Sequence, residues 1–383
     1  MRILLLNWKD PLAAAAGGSE RYVRAVAETW AAAGHHVEVV NPRVEGRPDR
    51  ETIAGVSYRR MGTFHTVYAH ARHYLRQDPT RFDKVLESVS TRPFLAHRIV
   101  GDRATAIVYH VAGPQWDREF GFPMNRIGRM ILEPFWLRHL RRCRVLTISH
   151  STAAQLARLG VIAEEIIPPG CEMPAAHLSP RLTLPPRIVV IGRLVRAKRP
   201  EDAVEAFRQL RQRWPGATLD VIGTGYLEQP LRDRAEPGVV VHGFVSEESK
   251  SEILSRAHAL LMPATAEGWG IAAMEAAAHG VPAIAYRIPG LRDCVDDGVT
   301  GILTKATPSG LVSGATRVLE DPELWSAMSA NGKRRAEGFT WRETSRRVAQ
   351  AMDFDGLTAT GSAPLPAISL RAAGLAAIPS EPA

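Results

Sequence analysis

Short apolar runs alternate with longer helical patterns along almost the whole chain, and nothing else in the sequence restricts the fold as strongly. Residues 3–6, 37–40, 84–87, 106–109 and 145–148 read as strands, and residues 19–33 read as a helix with Tyr22, Val23, Val26, Ala27 and Trp30 on one face. Strands that are apolar on both faces belong in a parallel sheet covered by helices on each side. The rhythm breaks once, around residues 166–187, where Pro168, Pro169, Pro174, Pro180, Pro185 and Pro186 crowd together as in a linker. It then restarts, with strands at 187–191, 219–222, 239–242, 259–262 and 282–286 and helices at 199–214 and 270–279. A chain of 383 residues is too long for one ordinary core. These patterns predict two Rossmann-like, doubly wound α/β domains, residues 1–168 and 187–340, joined by a hinge at 169–186 and facing each other across a cleft. Ligands bind such a pair at the carboxyl edges of the sheets. Residues 356–383, rich in Ala, Pro, Gly and Ser, read as a flexible low-complexity tail.

Charge and cysteine content narrow the chemistry. A net charge of +8 and a pI of about 9.7 suit anionic partners such as nucleotides, phosphorylated sugars or acidic lipids. Cys143, Cys171 and Cys294 show no CxxC pairing, so neither a disulfide framework nor a structural zinc is expected, and a cytoplasmic setting is. The N-terminal apolar run is too short for a signal peptide and reads as a first strand. No apolar run is long enough to span a membrane. Abundant Ala, Arg, Pro and Gly fit a GC-rich bacterial genome.

Four segments carry candidate chemistry. In residues 263–275 a strand ends, Gly268 and Gly270 let backbone approach a ligand, and a helix opens near Gly270 and Ile271, so its first amides form an anion site. Glu267 precedes that helix and Glu275 lies in its early turns, although two carboxylates eight residues apart are also an ordinary surface pattern. In residues 189–200, Gly192 follows a strand and Arg193 and Lys198 sit in a cationic loop suited to a diphosphate; a solvated basic loop is the alternative. At Gly17-Gly18-Ser19-Glu20 a glycine turn opens a helix, where the Gly18 amide could meet a phosphate and Ser19 could equally be a plain N-cap. His110, at the carboxyl end of a buried strand, is the best placed of the 13 histidines for chemistry. No GxGxxG dinucleotide fingerprint is present. Asp353-Phe-Asp355 fits a metal-binding DxD pattern but lies at a helix end, so no metal site is expected there.

Taken together, Gly17-Gly18-x-Glu20, Gly34-His-His-Val, Gly192-Arg193 with Lys198, Val221-Ile-Gly-x-Gly225, His242-Gly-Phe-Val, Glu267-x7-Glu275 and Gly280-Val-Pro-Ala resemble the family 4 retaining glycosyltransferases of the GT-B fold over roughly residues 1–355. The resemblance implies a nucleotide-diphosphate sugar as co-substrate, bound by the C-terminal domain without metal or other cofactor. Arg193, Lys198, Gly18 and the amides of Gly270 and Ile271 would hold the diphosphate, Glu275 the ribose, and Gly243, Phe244 and Val245 the base. Glu267 and His110 would bracket the sugar as catalytic residues, with Gly268 and Trp269 in the sugar loop. The N-terminal domain would take the acceptor, a natural product, lipid or saccharide, and residues 341–355 would form a helix crossing back to it. Phenylalanine is common where Trp269 stands, and Pro289-Gly290 replaces a usual Gly-Gly, which leaves the donor sugar open.

Two other functions compete. One is a nucleotide-sugar epimerase or phosphorylase on the same fold, for which no motif is present. The other is binding at an anionic membrane surface. Residues 118–144 hold seven arginines against Glu119 and Glu133, interleaved with Phe120, Phe122, Phe135 and Trp136, a pattern that a solvated helix face or an acceptor pocket also explains. Nucleic acid is not an expected partner, since no binding motif occurs.

Overall fold

The computed structural model describes residues 1–13, 16–174, 180–234 and 236–354, so the expected tail at 356–383 and part of the expected hinge lie outside the described residues. The first sheet comprises β1 (Arg2–Leu6), β2 (His36–Asn41), β3 (Arg50–Ile53), β4 (Val56–Arg60), β5 (Lys84–Val89), β6 (Ala104–Val108), β7 (Arg144–Thr147) and β8 (Glu165–Ile166), in spatial order β3-β4-β2-β1-β5-β6-β7-β8. The second comprises β9 (Arg187–Ile191), β10 (Thr218–Ile222), β11 (Val239–Gly243), β12 (Ala259–Met262), β13 (Ala283–Tyr286) and β14 (Gly301–Thr304), ordered β11-β10-β9-β12-β13-β14. Every pairing is parallel except β3 with β4. The continuous apolar runs account for this: β1, β6, β12 and β13 are buried along nearly their whole length, as strands covered on both faces must be.

Strand order reverses beside β1 in the first sheet and beside β9 in the second. Loops that leave neighbouring strands in opposite directions open a crevice at such a point. The loops after β9 and β12 flank the second of these points, and the loops after β1 and β6 face them, so that Lys9 and His110 lie within electrostatic reach of Arg193, and His110 also of Lys198 and Glu267.

The chain crosses between the sheets twice, side by side. Cys171 N–H donates to the Phe339 carbonyl at 2.8 Å. A Cβ on Gly170 would stand 2.2 Å from the Trp341 nitrogen, so only glycine permits the approach. The helix Trp341–Ala351 then lies on the first domain. Trp30 Nε1 donates to the Ser345 carbonyl at 3.1 Å, and Thr344 Oγ1 to the Pro168 carbonyl at 2.9 Å. Asp353 pairs with Arg144, which gives one carboxylate of the DxD-like run a structural partner; Asp355 is outside the described residues.

The β3–β4 hairpin, β8 and β14 are absent from the sequence expectation. The hairpin turns at Ala54-Gly55, with φ of 50° and 78°. Positive φ at both central positions is usually marked by Asn-Gly or Asp-Gly, and alanine hides it. The hairpin matters to the cleft because its fully buried Arg60 pairs with the fully buried Asp10, pinning the β1 loop that carries Lys9.

Candidate active site

On the second domain two loops form the floor. Thr265 donates from both its amide and its hydroxyl to the Ala197 carbonyl at 3.0 Å, tying the β12 loop to the β9 loop. This brings Lys198 onto Glu267: Nζ pairs with its Oε1 and also lies 3.4 Å from the Ala266 carbonyl. Arg193 is exposed, and among the described residues no carboxylate pairs with it. Gly223 and Gly225, which entered the sequence reading only as part of the resemblance, explain how the loops nest. A Cβ on Gly223 would meet the Gly192 carbonyl oxygen at 1.9 Å, and one on Gly225 the Leu194 carbonyl oxygen at 2.3 Å.

Two helix N-termini meet across the cleft. Helix Gly18–Ala32 starts with Gly18, whose added Cβ would lie 3.0 Å from Cδ1 of Ile271, the first residue of helix Ile271–His279. Gly270 caps the second helix at φ +118°, where a side chain would be strained and would press on Cys294 Sγ at 2.8 Å. Unpaired amides and the positive ends of both dipoles thus converge at one point. Ser19 is not the N-cap; Gly17 is, and Glu20 accepts from the Gly17 amide at 2.8 Å, closing the turn.

Glu275 is 6% exposed and pairs with two cations. Lys250 Nζ lies 2.8 Å from Oε1, and Arg21, from the first domain, bonds the same oxygen. Among the described residues Oε2 takes no hydrogen bond, so one oxygen stays available to a hydroxyl. Arg21 also reaches Glu247 at 3.1 Å and Glu172 at 3.7 Å.

His110 faces the Lys198–Glu267 pair from the first domain. Burial lowers its pKa most, the Lys198 and Arg193 charges add to this, and Glu267 opposes them; the result is about 4, so the ring is neutral at physiological pH. The approach is close: a Cβ on Gly268 would stand 2.2 Å from the Tyr109 carbonyl oxygen. Gly290 is equally constrained, its added Cβ falling 2.3 Å from the Glu267 carbonyl, which fits the second glycine position near the sugar loop.

The expected base positions lie at the end of β11 and just beyond it. Phe244 is exposed and offers a ring face; Val245 packs against the core; Gly243 turns the chain at φ +76°. Trp269 is a correction to the sugar-loop expectation. Its ring is 3% exposed and packs on Phe339 at 5.6 Å, because the close glycines on either side turn it inward, so the side chain is core and does not face the cleft. Lys9 was missed. It lies within electrostatic reach of Arg193 and Glu20, and burial is the main cause of its lowered pKa. It sits in an irregular stretch with no motif to mark it.

Glu119 and Glu133 do not neutralise the arginine-rich surface as their spacing suggests. Glu133 is 1% exposed, and Glu119 accepts from Tyr226 Oη at 3.2 Å across the cleft. The Arg118 side chain lies outside what the structure describes. The three cysteines are free, and burial raises each thiol, Cys171 to about 12. Among the described residues one grouping, Glu87, His97 and Cys143, has metal-ligand spacing, and it includes none of the cleft residues.

Two facing doubly wound domains, with two helix N-termini meeting at their shared edge and neutral His110 opposite, define a two-domain α/β architecture with an interdomain cleft. Residues 16–173 match the family model described as Glycosyltransferase Family 4, and residues 180–335 match that described as Glycosyl transferases group 1. The chain belongs to the family 4 glycosyltransferases of the GT-B fold. It is 28% identical to a glycogen synthase of Mycobacterium tuberculosis, covering 91% of this chain and 94% of that protein. It is 32% identical over 181 residues, 44% of this chain and 47% of the relative, to a GDP-mannose-dependent alpha-(1-6)-phosphatidylinositol monomannoside mannosyltransferase of Mycolicibacterium smegmatis. Sucrose-phosphate synthase from Thermosynechococcus elongatus shares the fold, with a TM-score of 0.75 and 21% identity over 91% of this chain and 98% of that one.

Proposed function

We propose that this glycosyltransferase is a retaining, metal-independent hexosyltransferase that moves a sugar from a nucleoside-diphosphate donor to an acceptor hydroxyl. The observation that supports this most is the meeting of two helix N-termini, at Gly18 and Ile271, beside the loop bearing Arg193 and Lys198. Positive charge fixed in advance at one point suits a leaving diphosphate, whose charge grows in the transition state. Phosphate oxygens compete with Glu267 for Lys198, while Arg193 and the helix amides meet them directly. The free Oε2 of Glu275 accepts from ribose, while Arg21 and Lys250 hold the other oxygen in place. Phe244 stacks the base. Neutral His110 and Glu267 hold the sugar from opposite sides, and the departing phosphate takes the acceptor proton on the front face, so no side-chain base is needed. The cationic groups supply the charge that a metal ion supplies elsewhere.

The acceptor side carries a second feature. Phe122 is 82% and Met130 70% exposed, and Phe120, Met124, Ile131 and Phe135 are exposed beside them, with Arg126, Arg129, Arg138, Arg141 and Arg142 in the same segment. Such a surface suits an anionic membrane, placing the enzyme at the cytoplasmic face with a lipid-borne acceptor. Flotation with phosphatidylglycerol vesicles tests this, and equal recovery with neutral vesicles refutes it.

The donor site is tested by thermal shift with UDP, GDP, ADP, CMP and dTDP on wild type, Arg193→Ala and Glu275→Ala. At 100 times its dissociation constant a nucleotide adds about 2.7 kcal/mol, or several degrees. One nucleotide stabilising wild type and neither variant is expected. No shift with any nucleotide refutes the site.

A further inference from the structure

Glu133 stood in the sequence as a countercharge among arginines, and the fold gives it other work. The chain leaving β6 passes His110 and turns back through residues 111–116. Three donors of that turn converge on the Glu133 carboxylate: the Ala112 amide at 2.6 Å, the Gly113 amide at 2.9 Å and Trp116 Nε1 at 3.1 Å. The carboxylate comes from helix Glu133–Arg138, 1% exposed. Beneath it, a Cβ on Gly128 would fall 2.1 Å from the Trp116 ring, so this stack tolerates no extra atom. A carboxylate is costly to bury unless its lone pairs are filled, and here they are filled by backbone two and three residues beyond His110. Upstream, His110 follows β6, which is paired on both sides. The described residues give the His110 ring no hydrogen bond, so its position depends on the backbone before and after it.

We propose that Glu133 is the positioning residue for His110, fixing the downstream half of its loop so that the imidazole meets the Lys198–Glu267 pair. This rests on the reading of His110 as a sugar contact. All three partners are donors. Glu133→Gln therefore turns one acceptor oxygen into an NH2 facing a donor, with almost no change in volume.

The test uses the full chain in four forms: Glu133→Gln, Trp116→Phe, His110→Ala and the Glu133→Gln/His110→Ala double variant. Nucleoside-diphosphate release from UDP-glucose, GDP-mannose and ADP-glucose gives kcat and KM, and calorimetry gives nucleoside-diphosphate affinity. A misplacement near 1 Å costs about 100-fold in rate. Glu133→Gln should lower kcat about 10- to 100-fold, with donor KM and nucleotide affinity within about threefold of wild type, and Trp116→Phe should do the same more mildly. The double variant should be no slower than His110→Ala, because both act through one group. Should Glu133→Gln melt early, Trp116→Phe on the His110→Ala background makes the same comparison. A full additional loss on that background overturns the positioning role while the reading of His110 stands. Wild-type kcat in His110→Ala overturns that reading and the proposal together.

Discussion

Gly268→Ala tests whether catalysis needs the two domains as close as they stand. The added Cβ would fall 2.2 Å from the Tyr109 carbonyl oxygen, where about 3.3 Å is an ordinary C···O contact. The oxygen belongs to the backbone and a Cβ is fixed by its own backbone, so neither can swing away, and the domains must part by about 1 Å. Overpacking of this kind costs about 1–3 kcal/mol, roughly a 5- to 150-fold loss of the closed arrangement. Gly268 does not occupy the left-handed region, so alanine introduces no backbone strain. The unfolded chain loses a little freedom, so the melting temperature should hold or rise slightly. Nucleotide binding draws mainly on the second domain and should change little. Steady-state kinetics beside calorimetric nucleotide affinity read the two effects separately. A variant with wild-type kcat refutes the argument, since it would show that the reacting arrangement does not require this contact. A variant that loses nucleotide affinity equally would refute it as well, by showing that the damage is local to the loop.

Three further outcomes are expected. Arg193→Ala should lower kcat about 10²- to 10³-fold, measured as nucleoside-diphosphate release, by removing a loop cation that no described carboxylate neutralises. His110 should titrate near pH 4 by NMR in wild type, and Lys198→Met should raise that value. Because the folded value lies below the ordinary one near 6.5, the folded state binds fewer protons, and stability should fall as pH drops from about 6.5 to about 4, with less loss in His110→Gln. Trp269→Ala should cost about 3–5 kcal/mol in urea unfolding, as for a large buried ring, whereas a cleft-facing ring would cost far less.

The parts of this molecule legible in the sequence are those fixed by short stretches of chain. Apolar runs of four or five residues marked the central strands because burial on both faces leaves them no choice. The loops after β9 and β12 stood out because glycines and charges at strand ends have few other uses. What could not be read depends on distant partners. Arg21 meets Glu275 across 254 residues, and nothing near either one announces the other. Trp269 looks exposed between two glycines until Phe339 is folded against it. Glu133 looks like a surface charge because its donors lie 17 to 21 residues upstream in a turn without a motif. The β3–β4 turn was hidden by Ala54 standing where asparagine or aspartate gives the usual signal.

The contacts between domains bear on how the cleft works. Arg21 with Glu275 and Glu247, Tyr226 with Glu119, and the Ser151 amide on Asp293 at 2.9 Å all join one domain to the other. Most have an end in solvent, and such pairs contribute about 0–1 kcal/mol each. Apolar contact joins them as well: one buried cluster takes in Tyr22, Tyr109 and Ile148 of the first domain and Met262, Trp269 and Leu291 of the second, with Gly18 close to Ile271 and Gly268 close to Tyr109 and Ile148. The crossing at Gly170 and Trp341 is different: there the two stretches of chain are joined by backbone pairing as well as by packing. Glycine stands at these points of approach because a Cβ there would meet the opposite domain. A single methyl group there costs about 1–3 kcal/mol of overpacking, so such substitutions should separate turnover from stability.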